Sequence, residues 1–387
     1  MSTPLTLSPF AIYVHWPWCL HKCPYCDFNV HVTDIIPEKA YIDCLIKDLE
    51  WQKQYVSKRI LTSIFIGGGT PSLMGAEQVE RLLDAIRERF HVSSALEVTL
   101  ETNPYPLPDF LAYTRAGVNR FSLGVQSLGD ADLLFLGRKH TAAQAHTAIT
   151  QAMQACNNVN LDIIYGTPHQ TIDSLQESLQ SVLDYAPTHI SAYQLTIEPN
   201  SAFYSQVRRK LWLPAPPDQQ TAAFECVRET LTQAGYLNYE ISNFARTPQS
   251  ICAYNQHVWD YEPYLGIGAG AHGRIAHNNT LYATTCWKQP RTYMQHTTAG
   301  RTPFSELTPL SPTEALQEAV LMGLRSLKGV SLSRLPKRPQ ITSGKAVFSW
   351  PQALRLVGDG FLELTPTHLR LTSKGWPVLD EILTFLL

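Results

Sequence analysis

The chain has 387 residues, 44% of them hydrophobic, enough to bury one large core and a smaller second one. A formal net charge of −2 offers no basic field to nucleic acid. No apolar run approaches the roughly 20 residues that span a bilayer, so any membrane contact is peripheral.

Short β-branched or aromatic runs predict strands at Phe10–His15, Leu61–Ile66, Leu96–Leu100, Asn119–Leu123, Asn160–Ile164 and His189–Leu195. Amphipathic stretches between them predict helices at Glu38–Tyr55, Ala76–Phe90, Pro108–Ala116, Thr141–Ala155 and Ile172–Tyr185, with a further helix at Asp218–Ala234. Such alternation implies an α/β fold with a parallel sheet and right-handed crossovers. Six repeats are too few for a closed eight-fold barrel, which leaves a curved partial barrel or an open sheet. Near the C-terminus, Ser311-Pro312-Thr313-Glu314 starts a helix to about Leu327 with a capping box. Leu335–Gln340 reads as a loop, residues 361–365 and 369–372 alternate like a hairpin, and a last helix runs from about Lys374. Helices with a two-stranded wing suggest an α+β winged-helix-like module, here for packing or covering a substrate because basicity is missing. Three units are expected: a barrel over 1–240, an extension over 241–305 carrying the YNQHVW and LGIGAGAHG segments, and the C-terminal module over 306–387.

The unusual residues collect at strand ends. Cys19, Cys23 and Cys26 follow the first strand and Gly67-Gly68-Gly69-Thr70-Pro71 the second. Glu101-Thr102-Asn103-Pro104 ends the third, Gly124-Val125-Gln126-Ser127 the fourth, and Asp162 with Tyr165-Gly166-Thr167-Pro168 the fifth. In parallel α/β folds those carboxyl ends share one face, which carries the active site. The C-x3-C-x2-C spacing lets three thiolates from one loop hold three corners of a [4Fe–4S] cluster, with one iron left open. A zinc site of the three cysteines with His21, or a disulfide with a spare thiol, are the alternatives. With no charged-then-apolar leader, a reducing, cytoplasmic compartment is expected, and the five scattered cysteines read as small buried hydrophobes.

The triplet resembles the pattern of radical S-adenosylmethionine (SAM) proteins, whose open iron takes the amino and carboxylate groups of SAM. In that setting Tyr13 could wall the cofactor, and the glycine-rich carbonyls and Glu101 could accept from the SAM ammonium. Arg138 offers a planar fork for its carboxylate, and Asp162 an acceptor for ribose hydroxyls. The ordered strings YVHWPWCLHKCPYCDF, IGGGTPSLM, ETNP, GVNRFSLGVQSL, LGRKHT, NLDIIYGTP and YLGIGAGAHG resemble the HemN/HemW group of that superfamily over residues 13–273, and the tail is similar to its C-terminal domain. The resemblance implies a partial (β/α)6 radical SAM barrel. It carries SAM contacts onto Tyr13, Tyr25, Gly68, Gly69, Thr70, Glu101, Gln126, Arg138 and Asp162 and assigns no side chain as catalytic. It also implies reductive cleavage of SAM to methionine and a 5′-deoxyadenosyl radical, driven by a flavodoxin or ferredoxin.

Within the group, the oxygen-independent coproporphyrinogen III dehydrogenases carry a further cysteine where this chain has Phe28, and a longer segment ahead of the cluster strand. Both departures point to the HemW branch, whose members resemble a haem chaperone that binds haem and hands it to haem-accepting proteins; decarboxylation of coproporphyrinogen III is the alternative. The branch's HNxxYW string appears here as Tyr254-Asn255-Gln256-His257-Val258-Trp259. Asn255 and Trp259 match, while Tyr254 and Val258 do not. Tyr254 as phenolate, His257 or nearby Cys252 are then the haem-ligand candidates, set against Tyr254 as a packed aromatic.

Overall fold

The computed structural model describes residues 8–56, 59–278, 280–335, 341–342, 345–346 and 348–387. All six expected strands form: β1 (Ser8–Trp16), β2 (Arg59–Gly68), β3 (His91–Thr102), β4 (Arg120–Gln126), β5 (Val159–Tyr165) and β6 (His189–Gln194). They pair in parallel in chain order. β4 buries every residue but Gln126, as a strand covered on both faces must. The helices α1 (Glu38–Gln52), α2 (Ala76–Arg89), α3 (Phe110–Arg115), α4 (Asp130–Phe135), α5 (Ala142–Ala155) and α6 (Ile172–Leu183) connect them, and α7 (Ala202–Arg208) and α8 (Pro217–Gln233) follow β6. α2 buries a stripe of Val79, Leu82, Leu83 and Ile86 against the sheet, and Thr141 and Thr171 close capping boxes at the starts of α5 and α6.

Residues 237–309 lengthen the sheet at both edges. β7 (Leu237–Asn238) and β8 (Asn243–Ala245) add antiparallel strands beyond β6. After α9 (Ala253–Trp259) the chain crosses to the other edge, where β9 (Tyr264–Ile267) lies parallel to β1. β10 (His272–His277), β11 (Thr280–Cys286), α10 (Pro290–Thr298) and β12 (Phe304–Pro309) follow, the strands pairing antiparallel. The sheet order is β12-β11-β10-β9-β1-β2-β3-β4-β5-β6-β8-β7, with β12 and β7 at opposite edges, so the barrel is partial. β9 escaped the sequence pattern because it has four residues and its glycine is required by a neighbour: a Cβ on Gly266 would run into the His272 carbonyl.

The C-terminal module has a core of its own, with Val320, Leu324, Leu369 and Trp376 at its centre. It contains α11 (Pro312–Leu324), β13 (Val330–Ser331), α12 (Trp350–Gly358), β14 (Leu362–Leu364), β15 (His368–Leu371) and α13 (Leu379–Leu386). The strands make a three-stranded antiparallel wing, β13-β15-β14. The capping box of Ser311 and Glu314 is present. The last helix begins at Leu379, later than expected, because a 3-10 turn over Trp376–Val378 precedes it around Pro377, which has no N–H to donate. Beyond Leu335, the loop expected at Leu335–Gln340 lies outside the described residues.

The module is fastened to the barrel by backbone bonds, Ile241 N–H to Arg325 O at 3.1 Å and Leu327 N–H to Tyr239 O at 2.9 Å. Beside them, the Arg228 guanidinium of α8 sits over two rings, Phe224 at 5.8 Å and Trp376 at 5.6 Å, clipping barrel to module. Among the described residues no helix is long and apolar enough to cross a membrane.

Candidate functional site

The carboxyl ends of the strands open into a cavity of about 1050 Å³, whose lining includes Cys19, Cys23, Cys26, Glu101, Arg138 and Asp162. Tyr25, Gly68, Gly69, Thr70, Gln126 and Tyr254 also line it. Two expected residues do not. Tyr13 stands one layer behind, its ring stacked on the lining residues Phe65 (6.3 Å) and Tyr254 (6.0 Å) and its hydroxyl 3.0 Å from His15 Nδ1. His257 is buried on α9, away from the cavity, with Nε2 donating to Pro263 O at 2.8 Å. On the first turn of the same helix, Tyr254 does reach the cavity.

A chain of hydrogen bonds joins the three loops around the thiols. Thr70 Oγ1 donates to Cys19 Sγ at 3.5 Å and accepts from Asn103 Nδ2 at 3.0 Å. Asn103 Oδ1 accepts from Arg138 Nη2, which also donates to Gly124 O at 2.9 Å. Arg138 Nη1 completes the path to Cys23 Sγ at 3.5 Å and Tyr25 Oη at 3.3 Å. Asn103 was not singled out from sequence, although it lies in the ETNP string. Its signal was a carboxamide, able to donate and accept at once, directly after a strand that ends in a buried acid. Gly69 lets the second loop approach the first: its N–H donates to Trp16 O at 2.7 Å, and a Cβ there would collide with the Trp18 carbonyl. The outgoing limb of the cysteine loop is held by Asn29, whose Nδ2 donates to Ala269 O (3.0 Å) and Lys288 O (2.9 Å) and whose carbonyl lies 2.9 Å from His15 Nε2.

All eight cysteines are free thiols, which removes the disulfide alternative. Among the described residues no trio of His, Cys, Asp and Glu converges on single-ion spacing, so the zinc arrangement of the three cysteines with His21 is not built. The thiols instead line a shared wall, as ligands of separate irons in a cluster would. Burial raises the Cys26 thiol to about 11 and lifts Cys19 as well. Their thiolate forms therefore need a positive charge such as iron supplies.

Opposite them stand two carboxyls without an ion pair among the described residues. Glu101, accepting from Gly68 N–H at 3.0 Å, is pushed up to about 8 by burial and then by Asp162. Asp162 is raised by burial, against bonds from Ser122 Oγ (2.9 Å) and Asn160 Nδ2 (2.8 Å). Two desolvated acids facing one space call for a cation, and the ammonium and sulfonium of SAM meet that demand. Gln126 sits where β4 bulges against β5, at φ 67°, a left-handed conformation held beside the cavity.

The far wall is different. Phe224 and Ile241 meet Trp376, Pro377 and Leu379 of the C-terminal module, and Arg325 stands among them, its guanidinium 5.3 Å over the Trp259 ring. Arg325 has no ion pair among the described residues, and its buried Nε has no partner. This wall could not be read from sequence, since it forms only when the module docks. Burial, followed by Tyr264 and Tyr13, lifts the Tyr254 phenol well above its ordinary value, so it stands protonated.

Comparison with known proteins agrees with this geometry. Residues 13–182 match the Radical SAM superfamily and residues 310–378 the HemN C-terminal domain. The chain is 39% identical to the heme chaperone HemW of Escherichia coli, over 75% of this chain and 76% of that one. It is 34% identical to heme chaperone HemW of Mycobacterium tuberculosis, over 99% and 96% of the two chains. It is 35% identical to the mouse mitochondrial radical S-adenosyl methionine domain-containing protein 1, over 97% and 87%. In fold it matches the E. coli coproporphyrinogen III oxidase HemN, with a TM-score of 0.77 at 23% identity over 98% of this chain and 90% of that one.

Proposed function

The chain belongs to the HemW family of radical SAM proteins, and we propose on that footing that it binds haem and delivers it to haem-requiring proteins. A radical SAM protein carries a [4Fe–4S] cluster and SAM. When bound, the cluster supplies one low-potential electron to the SAM sulfonium. Cys19, Cys23 and Cys26 hold three of its irons, and Thr70 and Arg138 steady two of the sulfurs by donating to them. Glu101 takes the SAM ammonium, with Gly68 and Gly69 leaving room for it. Arg138 takes the carboxylate beside Tyr25, and Asp162 and Gln126 hold the ribose hydroxyls. Tyr13 supports this wall from behind, through Phe65.

The observation that carries the haem reading is the contrast between the two walls. A cavity of about 1050 Å³ exceeds what a single small ligand usually fills. Its second wall offers apolar and aromatic side chains with the Arg325 guanidinium, which has no ion pair among the described residues, and carries Asp380 and Glu381 beside Leu379. The apolar surface suits a flat macrocycle and the guanidinium one of its carboxylates. Of the candidate iron ligands, Tyr254 and Cys252 line the cavity, and the Cys252 thiol is taken up by Glu97 Oε1 at 3.6 Å, which favours Tyr254. It must lose its proton to ligate, which buried surroundings oppose until ferric iron is present. Eight free cysteines fit work in the cytoplasm. Haem-accepting proteins and a one-electron donor are the partners.

The test is anaerobic iron–sulfide reconstitution, then haem titration and a coproporphyrinogen III decarboxylation assay on the same sample. Binding with a Soret shift and no consumption of coproporphyrinogen III is expected. Formation of protoporphyrinogen IX would overturn the proposal in favour of the decarboxylase, the reading that shares the fold but carries cysteine where Phe28 stands.

A further inference from the structure

The electron for the cluster must come from outside the chain, and it must arrive close to the cysteine loop. One surface next to that loop is built unlike the rest of this slightly acidic protein. Phe135 at the end of α4, Phe203 on α7 and Trp212 form a three-ring cluster with centroids 5.0, 5.2 and 4.9 Å apart. The cluster is joined to the cysteine loop itself: Phe203 N–H donates to Pro24 O at 2.8 Å, and the Phe203 ring lies 6.5 Å from Tyr25. Behind it, the end of α4 packs so closely on Pro24 that a Cβ at Gly137 would stand 2.6 Å from the proline ring.

Around this aromatic base three leucines project into solvent, Leu134 at 82% exposure, Leu211 at 67% and Leu213 at 68%. Interspersed with them are Lys139, Arg208, Arg209 and Lys210, all exposed and none in an ion pair among the described residues. Of the two acids on α4, Asp132 is turned inward, accepting from Ser127 Oγ at 3.2 Å and Thr167 Oγ1 at 2.9 Å, and Asp130, exposed at the start of the helix, accepts from Ala142 N–H at 2.7 Å. An apolar centre with a positive rim whose cations are not ion-paired among the described residues is what an acidic partner recognises.

We propose that this face, centred on Leu134, Leu211 and Leu213 and rimmed by Lys139 and Arg208–Lys210, docks a small acidic electron-transfer protein that reduces the cluster through the Pro24–Tyr25 side of the cysteine loop. The inference rests on the radical SAM assignment and is independent of haem delivery. With a flavin carrier the step balances simply. The anionic hydroquinone gives up one electron and becomes the neutral semiquinone, the cluster passes from the 2+ to the 1+ level, and no bond or proton moves. The rim steers encounter and the leucines hold the complex, so its affinity falls with added salt.

The test uses the cluster-loaded protein, with recombinant flavodoxin as probe. Binding is measured by titration calorimetry at two salt concentrations, and cluster bleaching by photoreduced flavodoxin is followed by stopped flow. Reduction by dithionite, which needs no docking face, is the control. In the doubly reversed variant Arg209→Glu, Lys210→Glu, flavodoxin binding should weaken by about tenfold or more and its salt dependence should flatten. Leu211→Ser with Leu213→Ser should weaken binding with the salt dependence kept, and dithionite reduction should be unchanged in both. Should the reversed variant lose its cluster, Arg209→Gln with Lys210→Gln carries the same expectation at smaller amplitude. Flavodoxin affinity and bleaching rate within twofold of the unmodified protein in these variants would overturn the docking proposal. So would rim-dependent binding to phosphatidylglycerol vesicles without any to flavodoxin, which would make the face a membrane-surface contact. A cluster that dithionite itself cannot reduce would instead refute the radical SAM chemistry beneath it.

Discussion

Asp48 should make the barrel measurably less stable as the pH rises through the weakly acid range. It lies on α1, 1% exposed, where its carboxylate accepts from Gln52 Nε2 (2.7 Å), Tyr293 Oη (2.6 Å) and Gly268 N–H (3.2 Å). Through Gly268 it anchors the glycine-rich turn after β9, the same turn whose Ala269 carbonyl receives Asn29 from the cysteine loop. Burial outweighs the three hydrogen bonds and raises the carboxyl from 3.8 to about 6. Because the folded value lies above the unfolded one, the native state holds the proton more tightly. The resulting stabilisation is fully present below about pH 3.8 and is lost as the pH rises through about 6. A shift of about two units corresponds to about 3 kcal/mol.

The perturbation that isolates this contribution is Asp48→Asn, which is neutral throughout. Urea unfolding of both proteins, followed by tryptophan fluorescence between pH 4 and pH 7.5, gives two stability curves whose difference cancels every other titrating group. Relative to the parent, the variant should gain about 2 kcal/mol across that range, since the first part of the change falls below pH 4, whatever constant offset its altered hydrogen bonds introduce. A difference that is flat with pH, or one that falls, would refute the reasoning that desolvation dominates at this site.

Glu101→Gln should weaken SAM binding by roughly 1.5–3 kcal/mol, about tenfold to a hundredfold, because a charged acceptor is replaced by a neutral one; calorimetry on the reconstituted protein reads it, and unchanged affinity would remove Glu101 from the site. Arg228→Ala should loosen the C-terminal module by roughly 1–2 kcal/mol, since two cation–π contacts are lost and its Nε has no partner to strand; faster hydrogen exchange in α13 with an unchanged barrel is the expected signature. Serine at Cys19, Cys23 and Cys26 together should abolish the visible absorbance of a reconstituted cluster, and its persistence would move the ligands elsewhere.

Periodicity and strand-end chemistry were enough to lay out the barrel. The alternation from Phe10 to Leu195 specified six parallel strands because each must be covered by a helix, and that geometry carries every strand's polar end to one face. The same logic gathered the cysteines, Glu101, Gln126, Arg138 and Asp162 around one cavity, since each lies on or beside a loop at a strand's carboxyl end. Such placements are local, fixed by distance along the chain from a strand terminus. Tyr13 and His257 show where local reasoning stops. A strand residue is inner or outer according to which neighbours cover it, and Phe65 and Tyr254 cover Tyr13. On α9 a separation of three residues turns His257 toward Pro263 while Tyr254 faces the cavity.

What only the tertiary structure decided depends on contacts between segments far apart in sequence. β9 crosses the sheet to lie beside β1, some 250 residues away, and a four-residue strand with a glycine carries no period to announce it. The apolar wall of the cavity exists because Trp376 and Leu379 of one core meet Phe224 of another, an encounter no local pattern encodes. The basic face beside Pro24 likewise needed the fold to bring α4 and α7 against the cysteine loop. Sequence determined the cofactor chemistry, which resides in a few residues at fixed spacing; the fold decided what surrounds it, because enclosure is a property of packed surfaces.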